Sequence, residues 1–217
     1  MAKASKNGRQ IASQQSFNSL VWSACDILRR SNLASALQYI PVLTWLLFLR
    51  ILDEREDLEA EKAEAVGQLY KPSLSAPYRW KDWAAPNGFK RKALMEEAAG
   101  SVFAFINNDL IPHLKALRDH PSATTRQKVI SQILSSVRGS AVDTEKNFLD
   151  VLDKLHEIRQ TDIDPTHIFP ISQVFEGLLL KMGEKNNDGG HHSPFQSLVY
   201  RPLCVHQSRM VTQGDPP

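Results

Sequence analysis

A chain of 217 residues, 42% of them hydrophobic, is long enough to form one sizeable core. Its 26 Lys and Arg residues nearly balance 24 Asp and Glu residues, so the net charge of +2 neither favours nor excludes a nucleic-acid partner. Two cysteines far apart, Cys25 and Cys204, argue against a disulfide framework. The amino terminus is polar and lacks the apolar stretch of a signal peptide, so we expect a soluble, cytoplasmic protein.

The first regular element predicted is an amphipathic helix after a flexible segment of residues 1–15. Ser16 is a plausible cap for it, and apolar residues then recur at helical spacing from Phe17 to Leu28.

The next helix, predicted over about residues 37–62, is the one around which the fold is expected to form. From Val42 to Leu52 it is apolar on every side, apart from Thr44 and Arg50, so other elements must surround it. It is too short to cross a bilayer, which takes about 20 apolar residues. The predicted core residues of these two helices are Trp22, Leu43, Leu46, Leu47, Phe48 and Ile51.

The acidic end of this helix is predicted to be a solvated face. Its carboxylates, Asp53, Glu54, Glu56 and Asp57, are spaced for salt bridges within the helix, and catalysis by them is not indicated.

A loop rich in proline and aromatic residues follows, and it has two interpretations. Trp80 and Trp83 lie among Arg and Lys residues, a pattern that can stack on bases and contact phosphates. Tryptophans in such a loop more often pin it to a helical core, and we favour packing by about two to one.

Further helices are predicted towards the carboxyl terminus, and no segment alternates as a strand would. Helical periodicity runs from Leu94 to Ile106 and is broken or bent by Asn107, Asn108 and Pro112. Two later helices are expected to begin at the Thr124–Gln127 capping box and at an Asp143 cap, and Gly139 is expected to end the first of them. Another is predicted from about residue 172 to 182, with an apolar row of Val174, Phe175, Leu178 and Leu179.

These elements predict an all-α fold, a helical bundle around the buried central helix. We expect the helical domain to span residues 16–183. Residues 184–217 have no apolar period and are expected to form a hinge and an irregular, disordered tail.

Catalytic and metal-binding motifs are not apparent. The sequence has no P-loop, CxxC pair, Gly-x-Ser-x-Gly or His-Glu-x-x-His motif. His191, His192, Cys204 and His206 lack the paired spacing of a zinc site, so we predict no metal site. The basic residues that are candidates for contact with phosphate are Lys90, Arg91, Lys92, Arg126, Lys128 and Arg138, although each could equally be an ordinary surface charge.

Four segments in order resemble the opening of the methylation subunit of type I restriction–modification systems. They are F-N-S-L-V-W-S-A-C-D-I-L-R-R from Phe17, Y-I-P-V-L-T-W-L-L-F-L-R-I-L-D-E-R from Tyr39, P-Y-R-W-K-D-W-A from Pro77 and I-S-Q-V-F-E-G-L-L from Ile171. The resemblance implies an N-terminal helical domain of an S-adenosylmethionine-dependent DNA adenine-N6 methyltransferase, without catalytic residues of its own. It also implies DNA, a specificity subunit, a second methylation subunit and restriction subunits as partners.

The sequence departs from this family after Gly190. The family continues there with Q-F-Y-T-P-R or Q-F-F-T-P-R, whereas this chain has His191-His192-Ser193-Pro194. The S-adenosylmethionine loop and the Asn-Pro-Pro-Tyr/Phe segment for the flipped adenine are not found, so we expect no cofactor in this chain. We infer a truncated or frame-disrupted subunit that acts by clamping DNA and assembling subunits. The alternative is a stand-alone helical protein-interaction module with no role on DNA.

Overall fold

The computed structural model describes residues 16–159, except residues 18, 32, 34 and 35 and the side chains of residues 36 and 37. The chain divides into two units, Met1–Leu179 and Leu180–Pro217, and all described residues belong to the first. The predicted segment 1–15, the predicted helix 172–182 and the predicted tail 184–217 lie outside the described residues.

Within the described residues every regular element is helical, so the all-α prediction is confirmed there. Residues 16, 17 and 19–30 are helical and form α1. The elements that follow are α2 (Ala36–Ala65), α3 (Trp80–Trp83), α4 (Phe89–Glu96), α5 (Ser101–Phe105), a π-helical segment (Ile106–Leu110), α6 (Ile111–Ala116), a 3-10 turn (Leu117–Asp119), α7 (Thr125–Leu134) and α8 (Glu145–His156). None of the described helices is long and apolar enough to span a membrane.

Helix α2 is the predicted central helix, and the core is built against it. The side chains of Leu43, Leu46 and Leu47 are fully buried, as predicted. Trp22 and Phe48 pack against this core but keep partial exposure, and Ile51 is also partly exposed. These three were predicted as core residues, and the structure places them at its margin.

Aromatic rings connect α2 to two other helices. Trp45 of α2 stacks on Trp83 of α3, with ring centroids 6.3 Å apart, and on Phe148 of α8 at 6.4 Å. Trp80 packs edge-on against Trp83 at 5.7 Å. Large rings bury much apolar area each, so these contacts hold three helices together.

The periodic stretch from Leu94 to Ile106 was predicted as one helix, and the structure corrects this to two. Helix α4 ends at Glu96, and Gly100 before α5 has a φ of 98°, which a residue with a Cβ rarely adopts. The carboxylate of Glu145, at the start of α8, accepts hydrogen bonds from the backbone N–H groups of Gly100 (2.9 Å) and Phe103 (3.0 Å). A distant carboxylate therefore caps α5, which local periodicity could not reveal.

The predicted break at Asn107 and Asn108 is a π-helical segment, Ile106–Leu110, and the chain continues from it directly into α6. Pro112 is the second residue of α6, which lies directly after the π-helical segment. The side chain of Asn107 accepts a hydrogen bond from the backbone N–H of Ser140 at 3.0 Å. The distortion thus turns a polar side chain towards the loop that precedes α8.

Three predicted helix boundaries have different outcomes. The capping box of Thr124 and Gln127 is confirmed, with both reciprocal hydrogen bonds present. The cap of α8 is Thr144 rather than Asp143, because the Thr144 hydroxyl accepts the N–H of Asn147 at 3.2 Å. Helix α7 ends at Leu134, before Gly139, so Gly139 does not terminate it.

The acidic end of α2 is only partly solvated, which corrects the prediction for Asp53 and Glu56, while the predicted salt bridge within the helix is present between Arg50 and Glu54. Asp53 is 9% exposed and Glu56 is 7% exposed. Arg50, 4% exposed, lies one turn before them and donates hydrogen bonds to the carbonyls of His156 (3.1 Å) and Ile158 (2.6 Å) at the end of α8. Its guanidinium also pairs with Asp53 at 3.5 Å, so these charges join two helices.

Burial, together with the nearby Asp57 carboxylate, raises the pKa of Asp53 to about 6 against the opposing effect of Arg50 and Lys81. The folded protein therefore holds a proton on Asp53 more tightly than the unfolded chain does. Between about pH 4 and pH 6 this carboxyl is ionised in the unfolded chain but still largely protonated in the folded protein, so the free energy of unfolding falls as the pH rises.

We predict that Asp53→Asn removes this contribution. The free energy of unfolding of the variant, minus that of the native protein, should increase between pH 4 and pH 7 by on the order of 2 kcal/mol. Urea unfolding at a series of pH values measures this difference, and taking the difference cancels the contributions of other groups. The control is Asp150→Asn, at a more exposed carboxylate paired with Lys146. A difference that stays constant with pH would contradict the prediction.

A second prediction concerns the cap of α5. Glu145→Ala should leave the backbone N–H groups of Gly100 and Phe103 without their acceptor, at a cost of about 1–2 kcal/mol in the free energy of unfolding. The neighbouring Lys146→Ala removes an exposed side chain with a single i,i+4 ion pair and should cost less than about 0.5 kcal/mol. Equal destabilisation of the two variants in chemical denaturation would show that Glu145 does not cap α5.

Candidate nucleic-acid interface

The six basic residues predicted to contact phosphate fall into two sets in the structure. Lys90, Arg91 and Lys92 lie together on α4. Arg126 and Lys128 lie on α7, and Arg138 follows that helix. The six side chains differ in burial and in ion pairing. These two properties decide which of the positive charges could contact a partner.

Arg91 is not available to phosphate, which corrects the prediction for this residue. Its side chain is 5% exposed, and Nη1 donates to the carbonyl of Ala84 at 2.8 Å and to Asp153 of α8 at 2.5 Å. Arg91 and Leu94 form the buried face of α4, because residues three apart lie on one side of a helix. Arg91 therefore ties α4 to α8.

Arg126 is also committed to partners inside the protein. Its guanidinium pairs with Glu59 at 2.8 Å and with Glu56 at 3.3 Å, and it contacts the Tyr70 hydroxyl at 3.2 Å. The hydrogen bond from Arg126 holds the pKa of Glu59 at about 2, so this carboxylate is ionised at neutral pH. Burial and the neighbouring carboxylates raise the pKa of Tyr70 to about 12. Arg55 also pairs with Glu59, at 3.2 Å, so two carboxylates face two guanidiniums and leave no surplus positive charge here.

The same network fixes the loop between α2 and α3. Glu56 accepts the backbone N–H of Ser73 at 3.0 Å, and Gln127 of α7 donates to the Ser73 carbonyl at 3.0 Å. The network therefore joins α2, the loop and α7.

Lys90, Lys92, Lys128 and Arg138 form no ion pair within the described part of the chain, and we refer to these four residues as the free cations. Lys92, Lys128 and Arg138 are exposed. Lys90 is partly buried, and its Nζ lies 5.1 Å from the centre of the Phe105 ring, a cation–π contact that keeps the positive charge.

Two large apolar side chains are exposed on α4 beside these lysines. Phe89 is 58% exposed and Met95 is 60% exposed. Exposed aromatic and Met side chains are common where proteins meet partners. The sequence analysis did not identify these two residues. Helical periodicity predicts that α4 has a buried face, but it does not show which apolar side chains remain exposed.

The tryptophans of the loop belong to the core, so the packing interpretation is confirmed and base stacking by these rings is wrong. Trp80 is 1% exposed and Trp83 is 2% exposed. The Trp80 indole N–H donates to Nδ1 of His156 at 3.2 Å. Tyr78 of the same loop stacks on His113 with ring centroids 3.7 Å apart, and burial lowers the pKa of that histidine.

No group of side chains among the described residues could hold a metal ion. The tail residues His191, His192, Cys204 and His206 lie outside the described residues. Cys25 is a buried cysteine.

Comparison with solved structures places this helical arrangement among restriction enzyme subunits. The modification subunit of a putative type I restriction enzyme from Vibrio vulnificus YJ016 matches with a TM-score of 0.63 and 26% identity, over 87% of this chain and 41% of that one. A chain from a structural study of complex assembly and conformational transition of the type I R-M system matches with a TM-score of 0.57 and 30% identity, over 80% and 31% of the two chains.

Comparison of sequences gives the same family. The chain is 30% identical over 185 residues to the type I restriction enzyme EcoEI methylase subunit of Escherichia coli. That alignment covers 82% of this chain but 34% of the relative, so the chain spans about a third of the curated relative's length. The sequence model of the HsdM N-terminal domain matches residues 17–155, nearly the whole of the described helical region. The chain therefore belongs to the HsdM N-terminal domain family of type I restriction–modification methylase subunits.

Proposed function

We propose that this chain acts as the non-catalytic, DNA-clamping and subunit-assembly domain of a type I restriction–modification DNA adenine methyltransferase. The observation that carries the proposal is the family match over residues 17–155, which coincides with a helical core of tightly packed side chains. The free cations support contact with DNA, since lysine and arginine that neutralise phosphates release counterions. The described residues take part as a rigid helical surface rather than as a reaction centre.

Methyl transfer to adenine is proposed to belong to a separate S-adenosylmethionine-binding region. That reaction needs a pocket for the cofactor and another for the flipped base. The described helices pack their apolar side chains into one core. We propose that this chain by itself binds no S-adenosylmethionine, and titration calorimetry with the cofactor tests this directly. A measurable binding heat would contradict it.

Contact with DNA is tested through the free cations. Combined replacement of Lys92, Lys128 and Arg138 by Ala should weaken binding to a duplex irrespective of its sequence. It should also flatten the dependence of log affinity on log salt by about 2–3 units of slope, at roughly 0.9 for each phosphate that is no longer neutralised. Fluorescence anisotropy of a labelled duplex at several salt concentrations measures both effects.

Two control variants separate charge from stability in this experiment. Lys146→Ala removes an exposed cation already paired with Asp150 and should leave the slope unchanged. Arg91→Ala should lower the free energy of unfolding by about 1–3 kcal/mol, because it removes the buried donor to the Ala84 carbonyl and to Asp153, and yet preserve the slope at temperatures where the variant is folded. If the triple variant kept the native slope, the free cations would be ordinary surface charges.

Assembly with protein subunits is the second part of the proposal. The specificity subunit, a second methylation subunit and restriction subunits are the proposed partners, and the exposed Phe89 and Met95 favour a protein contact on α4. Phe89→Ser together with Met95→Ser should reduce recovery of a co-expressed specificity subunit, whereas Val129→Ser on α7 should not. If recovery of the specificity subunit is not reduced, the contact does not lie on α4.

The same exposed side chains support the second candidate, a stand-alone helical protein-interaction module without a DNA role. The two functions give different results in the same pair of experiments. A module of this kind would retain a protein partner but show no salt-dependent affinity for DNA. The cytoplasm is the proposed location for either function.

A further inference from the structure

A row of basic side chains follows the line along which α6 packs against α7. The hydroxyl of Ser131 on α7 donates to the carbonyl of Lys115 on α6, so the two helices meet at these residues. The Nζ of Lys115 donates to the Val137 carbonyl at 2.6 Å, and Arg138 is the next residue in the chain. The Lys115 ammonium therefore lies beside the backbone of Arg138.

The other end of this line carries two more cations. Residues 120–124 connect the 3-10 turn to α7, and the turn packs against that helix. The short connection makes the two helices run in opposite directions. Arg118 is three residues after Lys115, and Lys128 is three residues before Ser131, so both lie about one turn further along the pair. We refer to the following four residues as the basic seam: Lys115, Arg118, Lys128 and Arg138.

The basic seam has a surplus of positive charge. Among the described residues, Asp119 is the carboxylate that pairs with it, at 3.8 Å from Arg118. Asp119 is 75% exposed, so this pair is a weak one. The carbonyl that accepts the Lys115 ammonium does not neutralise it. Four cations against one carboxylate repel one another and attract an anionic partner.

The side chains next to the basic seam suit a phosphate backbone. Gln132 and Ser135 follow Lys128 at intervals of four and three residues, so they share its face of α7, and both are exposed. Amide and hydroxyl groups often bind phosphate and sugar oxygens. Val129 is also exposed, but it lies about 160° around α7 from Ser131. Since a protein interface usually has an apolar centre, these neighbours favour nucleic acid over an acidic protein.

We propose that the basic seam is the surface that binds the phosphate backbone of duplex DNA. Helix α7 rises by about 9 Å from residue 128 to residue 134. A duplex carries one phosphate per roughly 3.4 Å of axis on each strand, so this length faces about two or three phosphates. The inference rests on the proposed contact with DNA and narrows it, because Lys90 and Lys92 on α4 then do not bind phosphate.

Fluorescence anisotropy of a labelled duplex with the full chain tests the inference. Arg118→Gln with Lys128→Gln removes two exposed charges of the basic seam. It should lower the slope of log affinity against log salt by about 1.8, at roughly 0.9 for each phosphate. The matched control, Lys90→Gln with Lys92→Gln, removes the same charge from α4 and should leave the slope unchanged.

The outcomes separate this inference from the proposed function. If the two double variants lose the same slope, or the α4 variant loses more, the basic seam is not the phosphate site, although the contact with DNA stands. If the native chain shows no salt-dependent affinity for the duplex, both the inference and the contact with DNA are wrong.

Asp119→Asn should increase the affinity, an effect that a loss of folding cannot imitate. It removes the carboxylate beside Arg118 and should strengthen duplex binding by roughly two- to fivefold, the range of one exposed charge pair. Glu61→Gln, at the exposed end of α2, makes the same change in net charge and should have no such effect. An unchanged affinity in Asp119→Asn would overturn the inference. Tighter binding of poly-L-glutamate than of the duplex would also overturn it, by making an acidic protein the partner.

Discussion

The fold depends on the burial of α2, a helix whose middle is apolar on nearly every side. Such a helix is stable only when other elements cover it, because no single face suits water. Helices α3 and α8 meet this requirement through the stack of Trp45 with Trp83 and Phe148. Arg50 is buried together with the helix, so its guanidinium needs hydrogen-bond acceptors inside the protein. Its guanidinium satisfies carbonyls at the end of α8, so the charged group links the two helices.

Charged side chains have two separate uses in this domain. Arg50, Arg91 and Arg126 are placed against carboxylates and carbonyls, and each connects α2 or α4 to a distant element. Arginine suits this role, since its planar group donates in several directions and stays charged when buried. Three of the free cations are lysines, and one is an arginine beyond the end of α7. The internal pairs hold the scaffold, whereas the free cations form no ion pair with the described residues.

The described helices account for most of the family match, which runs from residue 17 to 155. The chain covers 34% of the curated relative and 41% or less of the two solved chains, so the domain is a minor part of those longer proteins. A scaffold of this kind can present surfaces without containing a reaction centre. The exposed Phe89 and Met95 on α4 form an apolar surface of that sort.

The sequence determined the elements whose causes are local. Neighbouring residues were enough to predict the apolar run of α2, the capping box of Thr124 and Gln127 and the packing of Trp80 and Trp83. The structure confirms all three predictions. The ordered set of family segments was also sufficient to indicate the family before any fold was known.

The tertiary structure decided the features that depend on residues far apart in the chain. The Glu145 cap splits one predicted helix into α4 and α5 across a separation of more than 40 residues. From the sequence, Arg91 and Arg126 were predicted to be surface charges available to phosphate. Their partners, Asp153 and Glu59, are distant in sequence, so the pairing could not be predicted. Asp53 was predicted to be solvated. Its burial comes from other elements that pack against α2, and the residues near Asp53 in the sequence do not show this. Periodicity and charge spacing describe one helix at a time, whereas the availability of a charge depends on which other elements fold against it.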